Sequence, residues 1–275
     1  MSAYFITEVI SVKNKTYGYN TFKQDIQSIN SEIFSIGKSH LDRDIYCIKQ
    51  GTGTNELLYA GAFHGMEWLT SAMLVKFIKN IEKNPDLLPE KVTLYCIPMV
   101  NPDGVEISRF REGWQSNARG VDLNHNFDAG HDNSRAYEKS HGITGPGKTR
   151  YAGLYPFSEA ETDALLKFVK SHNFKTVFAF HSQGMEVYYN YENLEPPYSY
   201  SVAKFLTENT DYKVCTPTGF ASFGGFKDWF IKEYRRMGFT VEIGKGKNPL
   251  PLSGLSKVYE ETYPLLIKCL KTALL

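Results

Sequence analysis

The sequence predicts an α/β fold built on a largely parallel or mixed central sheet. Two observations carry this. Short apolar runs alternate along the chain with longer segments of helical period. The runs are also nearly continuous in apolar residues, as strands buried inside a sheet are.

Taken in order, residues 45–48 and 57–63 read as strands, followed by a helix over 69–81 and a strand over 92–100. Ser158 with Glu161 forms a capping box that opens a helix over 158–171. Residues 176–181 form a strand ending in His181. Helical period returns over 198–210 and 225–235, residues 239–243 form another strand, and 256–274 make a terminal helix. The stretch 101–155 differs, being rich in Gly, Asn, Asp and Arg with little periodicity. A compact domain rarely keeps so long an irregular segment unless it builds a site. No repeat or low-complexity tract is present, and residues 1–275 are read as one domain.

A net charge of +1 without blocks of like charge points away from nucleic acid and anionic membranes as partners. No run approaches the ~18 apolar residues of a membrane span. The first fifteen residues, MSAYFITEVISVKNK, hold Glu8 in a short apolar stretch and have neither a basic start nor a small-residue cleavage site. They read as no signal peptide, so a cytoplasmic location is expected, with secretion left open. Cys47, Cys96, Cys215 and Cys269 are far apart and read as buried free thiols, which favours a reducing compartment.

Four features carry chemistry. In LLYAGAFHGMEW a strand runs into His64, with Glu67 three residues later. On a tight or first helical turn these two share a face and can reach one Zn²⁺ at ~2.0–2.2 Å. The plain alternative is a surface His and a Glu favoured by a helix N-terminus. In KTVFAFHSQG, His181 ends an apolar strand. Taken singly it reads as a core residue; as a third ligand it completes a His₂Glu set. In FTVEIG, Glu242 sits among Phe239, Val241 and Ile243. It either faces water on an alternating strand or serves as a general base of raised pKa. Residues 117–128 gather Asn117, Arg119, Asp122, Asn124, His125, Asn126 and Asp128, groups suited to a polar substrate or simply to a solvated loop. Asn101-Pro-Asp-Gly104 reads as a turn.

In this order the motifs resemble the zinc carboxypeptidase family over nearly the whole chain. The match starts from an early helix-plus-strand segment, IGKSHLDRDIYCIKQG. It continues through H-x-x-E, N-P-D-G, N-A-R-G-V-D-L-N-x-N, H-S, G-G-x-x-D-W and Glu242 to the last helix. The resemblance implies a mixed, mostly parallel eight-stranded twisted sheet with helices on both faces. It implies one Zn²⁺ per chain held by His64, Glu67 and His181, with Glu242 taking a proton from water and passing it to the leaving amine. Ser182, in H-S, is expected to contact substrate together with Asn117 and Asn124.

Departures redirect this reading. Family carboxypeptidases carry N-R-N, whose Arg holds the substrate's terminal carboxylate; here the triplet is Asn124-His125-Asn126. His cannot make the bidentate fork of Arg. The usual oxyanion Arg falls at Gln115, leaving Arg119 as the nearest cation, and the usual mobile Tyr falls at Phe220. Lys227 occupies the position that sets side-chain preference in digestive relatives and either favours an acidic group or points to solvent. N-A-R-G-V-D-L-N-x-N resembles most the bacterial peptidases that cut γ-D-glutamyl bonds before a diamino acid, meso-diaminopimelate or Lys, in cell-wall peptides. The expected substrate is therefore a peptide or muropeptide. The alternatives are a conventional zinc carboxypeptidase or a non-catalytic peptide-binding protein on the same fold.

Overall fold

The computed structural model describes residues 16–219 and 223–275. Its eight strands are β1 (Glu32–Lys38), β2 (Asp44–Gln50), β3 (Asn55–Gly61), β4 (Val92–Ile97), β5 (Phe174–Ser182), β6 (Glu186–Tyr188), β7 (Lys213–Cys215) and β8 (Met237–Ile243). They form one sheet in the order β1-β2-β4-β3-β5-β8-β6-β7. The pairs β3–β4, β3–β5, β5–β8 and β6–β7 are parallel; β1–β2, β2–β4 and β6–β8 are antiparallel. The α-helices among the described residues are α1 (Tyr19–Ile26), α2 (Trp68–Lys83), α3 (Pro102–Ser108), α4 (His131–Ser140), α5 (Ala160–Lys170), α6 (Ser199–Thr207), α7 (Phe226–Tyr234) and α8 (Leu255–Lys271).

The unbroken apolar character of the central strands has a direct cause: both faces of the sheet are covered. Leu57 and Tyr59 of β3 point into a core shared with α1, α2, α6 and α8, whereas Leu58 and Ala60 point into one shared with α5 and α7. In β8, Phe239, Val241 and Ile243 join the first core, which turns Thr240 and Glu242 toward the α5–α7 side. No helix among the described residues is long and apolar enough to cross a membrane. All four cysteines are free thiols, three of them buried and Cys215 half-buried.

The structure corrects several readings. The early segment over 36–51 is not helix plus strand but the end of β1, a turn through Asp42 (φ 63°) and β2. The capping box does not form. The N-cap is Glu159, and Ser158 Oγ donates to Glu159 Oε1 (2.8 Å). The Glu159 N–H goes to Asn126 Oδ1 (3.3 Å), so a loop asparagine closes this helix start. Asn101-Pro-Asp-Gly104 opens α3 rather than a bare turn. Asn101 Oδ1 accepts from Gly104 N (2.8 Å), and Pro102 takes the position where its missing N–H costs nothing. The polar helix α4 lies inside the stretch read as irregular. The signal-peptide reading over 1–15 and the Phe220 position lie outside the described residues.

Candidate metal centre

The first two ligand candidates come from one sharp turn at the carboxyl end of β3. Ala62 adopts φ 49°, and its N–H is captured by Thr70 Oγ1 (2.8 Å), whose hydroxyl donates to Glu67 O (2.7 Å). This clamp closes a 3₁₀ turn over Gly65–Glu67 and sets His64 and Glu67 on one side of it. Gly65 is required there: a Cβ would lie 2.3 Å from Gly104 O and 2.9 Å from Trp114 O. Its N–H donates to Gln115 O (2.8 Å), which ties the turn to the long loop.

The third candidate ligand and the candidate base come from sheet register. His181 of β5 stands directly beside Glu242 of β8, so both side chains leave the same face at the strands' carboxyl ends. The His181 ring stacks on Phe63 (centroids 5.3 Å, 16°), and Phe63 stacks on Phe226 (5.6 Å). An aromatic wall thus fixes the imidazole from behind.

The donor atoms converge. His64 Nδ1 lies 2.9 Å from Glu67 Oε1, His181 Nδ1 lies 3.1 Å from Glu67 Oε2, and the two Nδ1 atoms lie 3.3 Å apart. One ligand atom from each of the three residues falls within 4.8 Å of the others. His64 Nε2 faces Asp122 Oδ1 at 3.1 Å, which turns the Nδ1 lone pair inward. Two imidazole lone pairs and a carboxylate packed this closely repel unless a proton or cation lies among them. The donor set therefore fits a zinc ion: two imidazoles, one carboxylate and a carboxylate backing a ligand histidine.

Electrostatics follow from the same packing. Burial opposes ionisation of Glu67, but His64 and the hydrogen-bonded His181 lower its pKa to about 2. Burial opposes ionisation of Asp122 too, yet His64 and then His125 hold it well below the usual carboxylate range. For Glu242 burial dominates, with Glu67 adding to it, and its carboxyl is pushed well above the ordinary range. No side chain among the described residues hydrogen-bonds the Glu242 carboxylate.

The other expected site residues fall into two groups. Asn117 is fully buried, with Nδ2 on Glu159 (2.8 Å) and Glu161 (3.1 Å) and Oδ1 on the N–H groups of Arg119 and Val121. All its hydrogen-bonding positions are taken inside the protein, so it supports the loop rather than offering a free group to a ligand. Asn124 Oδ1 accepts from Phe226 N (3.2 Å) and holds the start of α7. Arg119 pairs with Glu159 at 3.7 Å, and the Gln115 side chain is held by the Thr149 hydroxyl. Ser182 Oγ donates to Asn248 Oδ1 (2.9 Å), and Asn248 Nδ2 reaches Glu67 Oε1 (3.4 Å). His125 and Lys227 are both buried beside the loop and the start of α7. His125 Nδ1 meets Phe223 O (2.8 Å). Lys227 does not point to solvent: it is buried, bonded to Asn190 O (2.5 Å) and to Asp228. Its stem lies over Gly238, where a Cβ would come 3.3 Å from Lys227 Cγ.

From the sequence Asp122 is one polar loop residue among several, and Asn248 and Glu186 have no role. Asp122 backs His64, and Asn248 bridges Ser182 and Glu67. Glu186 of β6 stands directly opposite Glu242. A signal for Asp122 existed in V-D-L-N; nothing local marks the other two.

A His₂Glu cluster able to hold a metal ion, beside a buried carboxyl of raised pKa on the adjacent strand, is the donor arrangement of a metallohydrolase. Residues 20–265 match the family described as zinc carboxypeptidase, and the chain belongs to that family. It is similar to gamma-D-glutamyl-L-diamino acid endopeptidase 1 of Lysinibacillus sphaericus, at 32% identity over 90% of this chain and 70% of that one. It is also similar to carboxypeptidase A1 of Bos taurus, at 27% identity over 83% of this chain and 61% of that one. Among solved structures, carboxypeptidase A from Helicoverpa armigera superposes with TM-score 0.77 at 19% identity, covering 94% of this chain and 74% of that one. Murein-tripeptide amidase MpaA from Escherichia coli O157 superposes with TM-score 0.61 at 19% identity, covering 90% and 95%. Both share the fold. The chain is a zinc metallopeptidase, a hydrolase.

Proposed function

We propose that this metallopeptidase hydrolyses the bond between γ-D-glutamate and a diamino acid, meso-diaminopimelate or lysine, in peptidoglycan peptides. The observation that carries the reading is His125. It stands where exo-acting relatives place an Arg for the terminal carboxylate. Burial lowers its pKa, against the pull of Asp122, so a neutral ring replaces a fixed bidentate cation. Lys227 supports it in an altered way. The lysine is no bare positive charge but half of a buried pair with Asp228, also bonded to Asn190 O, so it shapes the wall of the site rather than offering a free charge to substrate. The similarity to the Lysinibacillus enzyme points to the same substrate class.

His64, Glu67 and His181 would hold one zinc ion. When bound, zinc makes a water nucleophilic near neutral pH and withdraws electron density from the scissile carbonyl. Glu242 accepts the proton of the attacking water and returns it to the leaving amine, a task suited to its raised pKa. Asp122 keeps the His64 ring in register. Arg119 is the cation assigned to the oxyanion, and to serve there it must leave its contact with Glu159. Asn124 acts on substrate indirectly, by placing α7 and with it Lys227.

The test is incubation of the zinc-loaded protein with L-Ala-γ-D-Glu-meso-diaminopimelate, read by mass spectrometry. Release of free diaminopimelate is expected. No release, alongside brisk removal of ordinary C-terminal residues from linear peptides, would instead establish a conventional carboxypeptidase.

A further inference from the structure

The antiparallel pairing of β6 and β8 sets Glu186 directly opposite the base Glu242, and Tyr188 opposite Thr240. Directly paired residues leave the same face of a sheet with their Cβ atoms ~4.5–5.5 Å apart. Val187, between them, points into the core on the other face. Glu186 is therefore the next side chain after Glu242 on the cleft face, on the far side of the base from His181.

Like charges directly opposite each other destabilise a strand pair. Here the opposition is built in rather than relieved. Glu186 is half-buried, and its carboxylate is held by the Tyr188 hydroxyl (2.6 Å) instead of by a cation. Lys213 is its partner across β7, yet it is exposed and forms no ion pair with it among the described residues. Deeper along the same face, Lys227 is matched by Asp228. The two charges of a zinc ion would be matched by Glu67 and Glu242. Glu186 is then the carboxylate of the cleft wall left without a counter-charge. The wall thus has an acceptor surplus, and a ligand that complements it carries donors and positive charge.

We infer that Glu186 is a specificity-determining residue that binds the side-chain ammonium of the diamino acid on the leaving side of the scissile bond. The inference rests on the proposed γ-D-glutamyl–diamino acid activity and names the group that reads its diamino character. In the substrate the α-nitrogen of that residue is tied up in the scissile amide. Its side-chain ammonium is the one cation left to recognise. Tyr188 acts as a positioning residue, holding the carboxylate toward the cleft.

The test compares two peptides: L-Ala-γ-D-Glu-meso-diaminopimelate, and the same peptide ending in L-2-aminopimelate, which keeps the distal carboxylate and lacks the ammonium. The wild-type zinc enzyme is expected to prefer the first by about 10- to 100-fold in kcat/KM, chiefly through KM. Glu186→Gln should erase most of this preference by slowing the first substrate and sparing the second. Glu186→Asp should restore part of it. Equal losses on both peptides would overturn the inference, because they would place Glu186 with the base or with folding. An unchanged preference in Glu186→Gln would overturn it as well. If wild-type enzyme cleaves neither peptide but trims ordinary C-termini, the proposed activity has failed rather than this assignment.

Discussion

The two walls of the cleft are built in different ways. On one side, His64, Glu67, His181 and Glu242 stand at the carboxyl ends of β3, β5 and β8, held by strand register, a clamped turn and a stacked aromatic wall. On the other, Glu186, Tyr188, Lys227 and Asp228 come from a three-residue strand and the first turn of α7. The first wall offers matched groups converging on one point. The second offers a buried ion pair and an unmatched carboxylate. Under the proposed roles the contrast separates reaction from recognition: chemistry needs fixed distances and sits on the sheet, while specificity sits on short elements beside it.

The largest effect should come from the reactive wall. Glu242→Gln keeps the shape of the side chain and the zinc ligands but cannot take a proton. Activity should fall at least about 10³-fold while zinc content by elemental analysis stays unchanged. A variant that keeps its rate would refute the assigned base. A variant that also loses its zinc would mean the two halves of the centre cannot be separated.

The recognition wall should show itself first in stability. Lys227→Met leaves Asp228 buried without its partner. Removing one member of a buried pair costs on the order of 3–5 kcal/mol. Urea unfolding should show a loss of that size, and the double variant Lys227→Met, Asp228→Leu should recover much of it. If Lys227→Met unfolds like the wild type, the pair is more open to water than its burial indicates, and the charge of Lys227 is then free for substrate.

The same contrast explains what the sequence made legible. The long apolar runs behind β3, β4, β5 and β8 are visible because burial on both faces leaves only apolar residues usable. The ligands then stand out as polar residues at the ends of those runs. β6 and β7 are three residues each, too short for any period to register. β1 is an edge strand with a half-exposed pattern and a register shift at Gly37. Helix α4, HDNSRAYEKS, has almost no apolar stripe to betray it. The capping box failed because Asn126, 33 residues away in sequence, meets the Glu159 N–H, a contact no local motif encodes. Lys227 is read from the sequence as favouring an acidic group or pointing to solvent, whereas its burial against Asp228, Asn190 O and Gly238 rests on contacts that only the fold brings together.

Glu161 is fully buried, accepting from Asn117 Nδ2 and His40 N. Burial raises its pKa from 4.5 to about 7, with Asp103 adding to the shift and hydrogen bonds opposing it. The folded protein thus holds this proton more tightly than the unfolded chain. The resulting stabilisation is complete below pH ~4.5 and is lost as pH rises toward ~7, amounting to roughly 3 kcal/mol. Glu161→Gln imitates the protonated group and should flatten that part of the profile, measured by urea unfolding between pH 5 and 8. A profile of unchanged slope would show that water reaches the site.

The smallest effect should separate a ligand from its support. Asp122 contributes no atom to the His64–Glu67–His181 cluster, yet it receives the far side of the His64 ring at 3.1 Å and the N–H groups of Arg150 (3.0 Å) and Asn124 (3.3 Å). Asp122→Asn keeps the shape and one acceptor oxygen but removes the charge that orients the imidazole. Zinc should bind about 10- to 100-fold more weakly in competition with a chelator, while His64→Ala should abolish stoichiometric binding. At saturating zinc the Asp122→Asn enzyme should regain most of its kcat, because Glu242 and its register with His181 are untouched. A kcat that stays low under saturating metal would mean that Asp122 fixes more than ring orientation. The division between a rigid reactive wall and an adaptable recognition wall would then have to extend outward to include the loop around it.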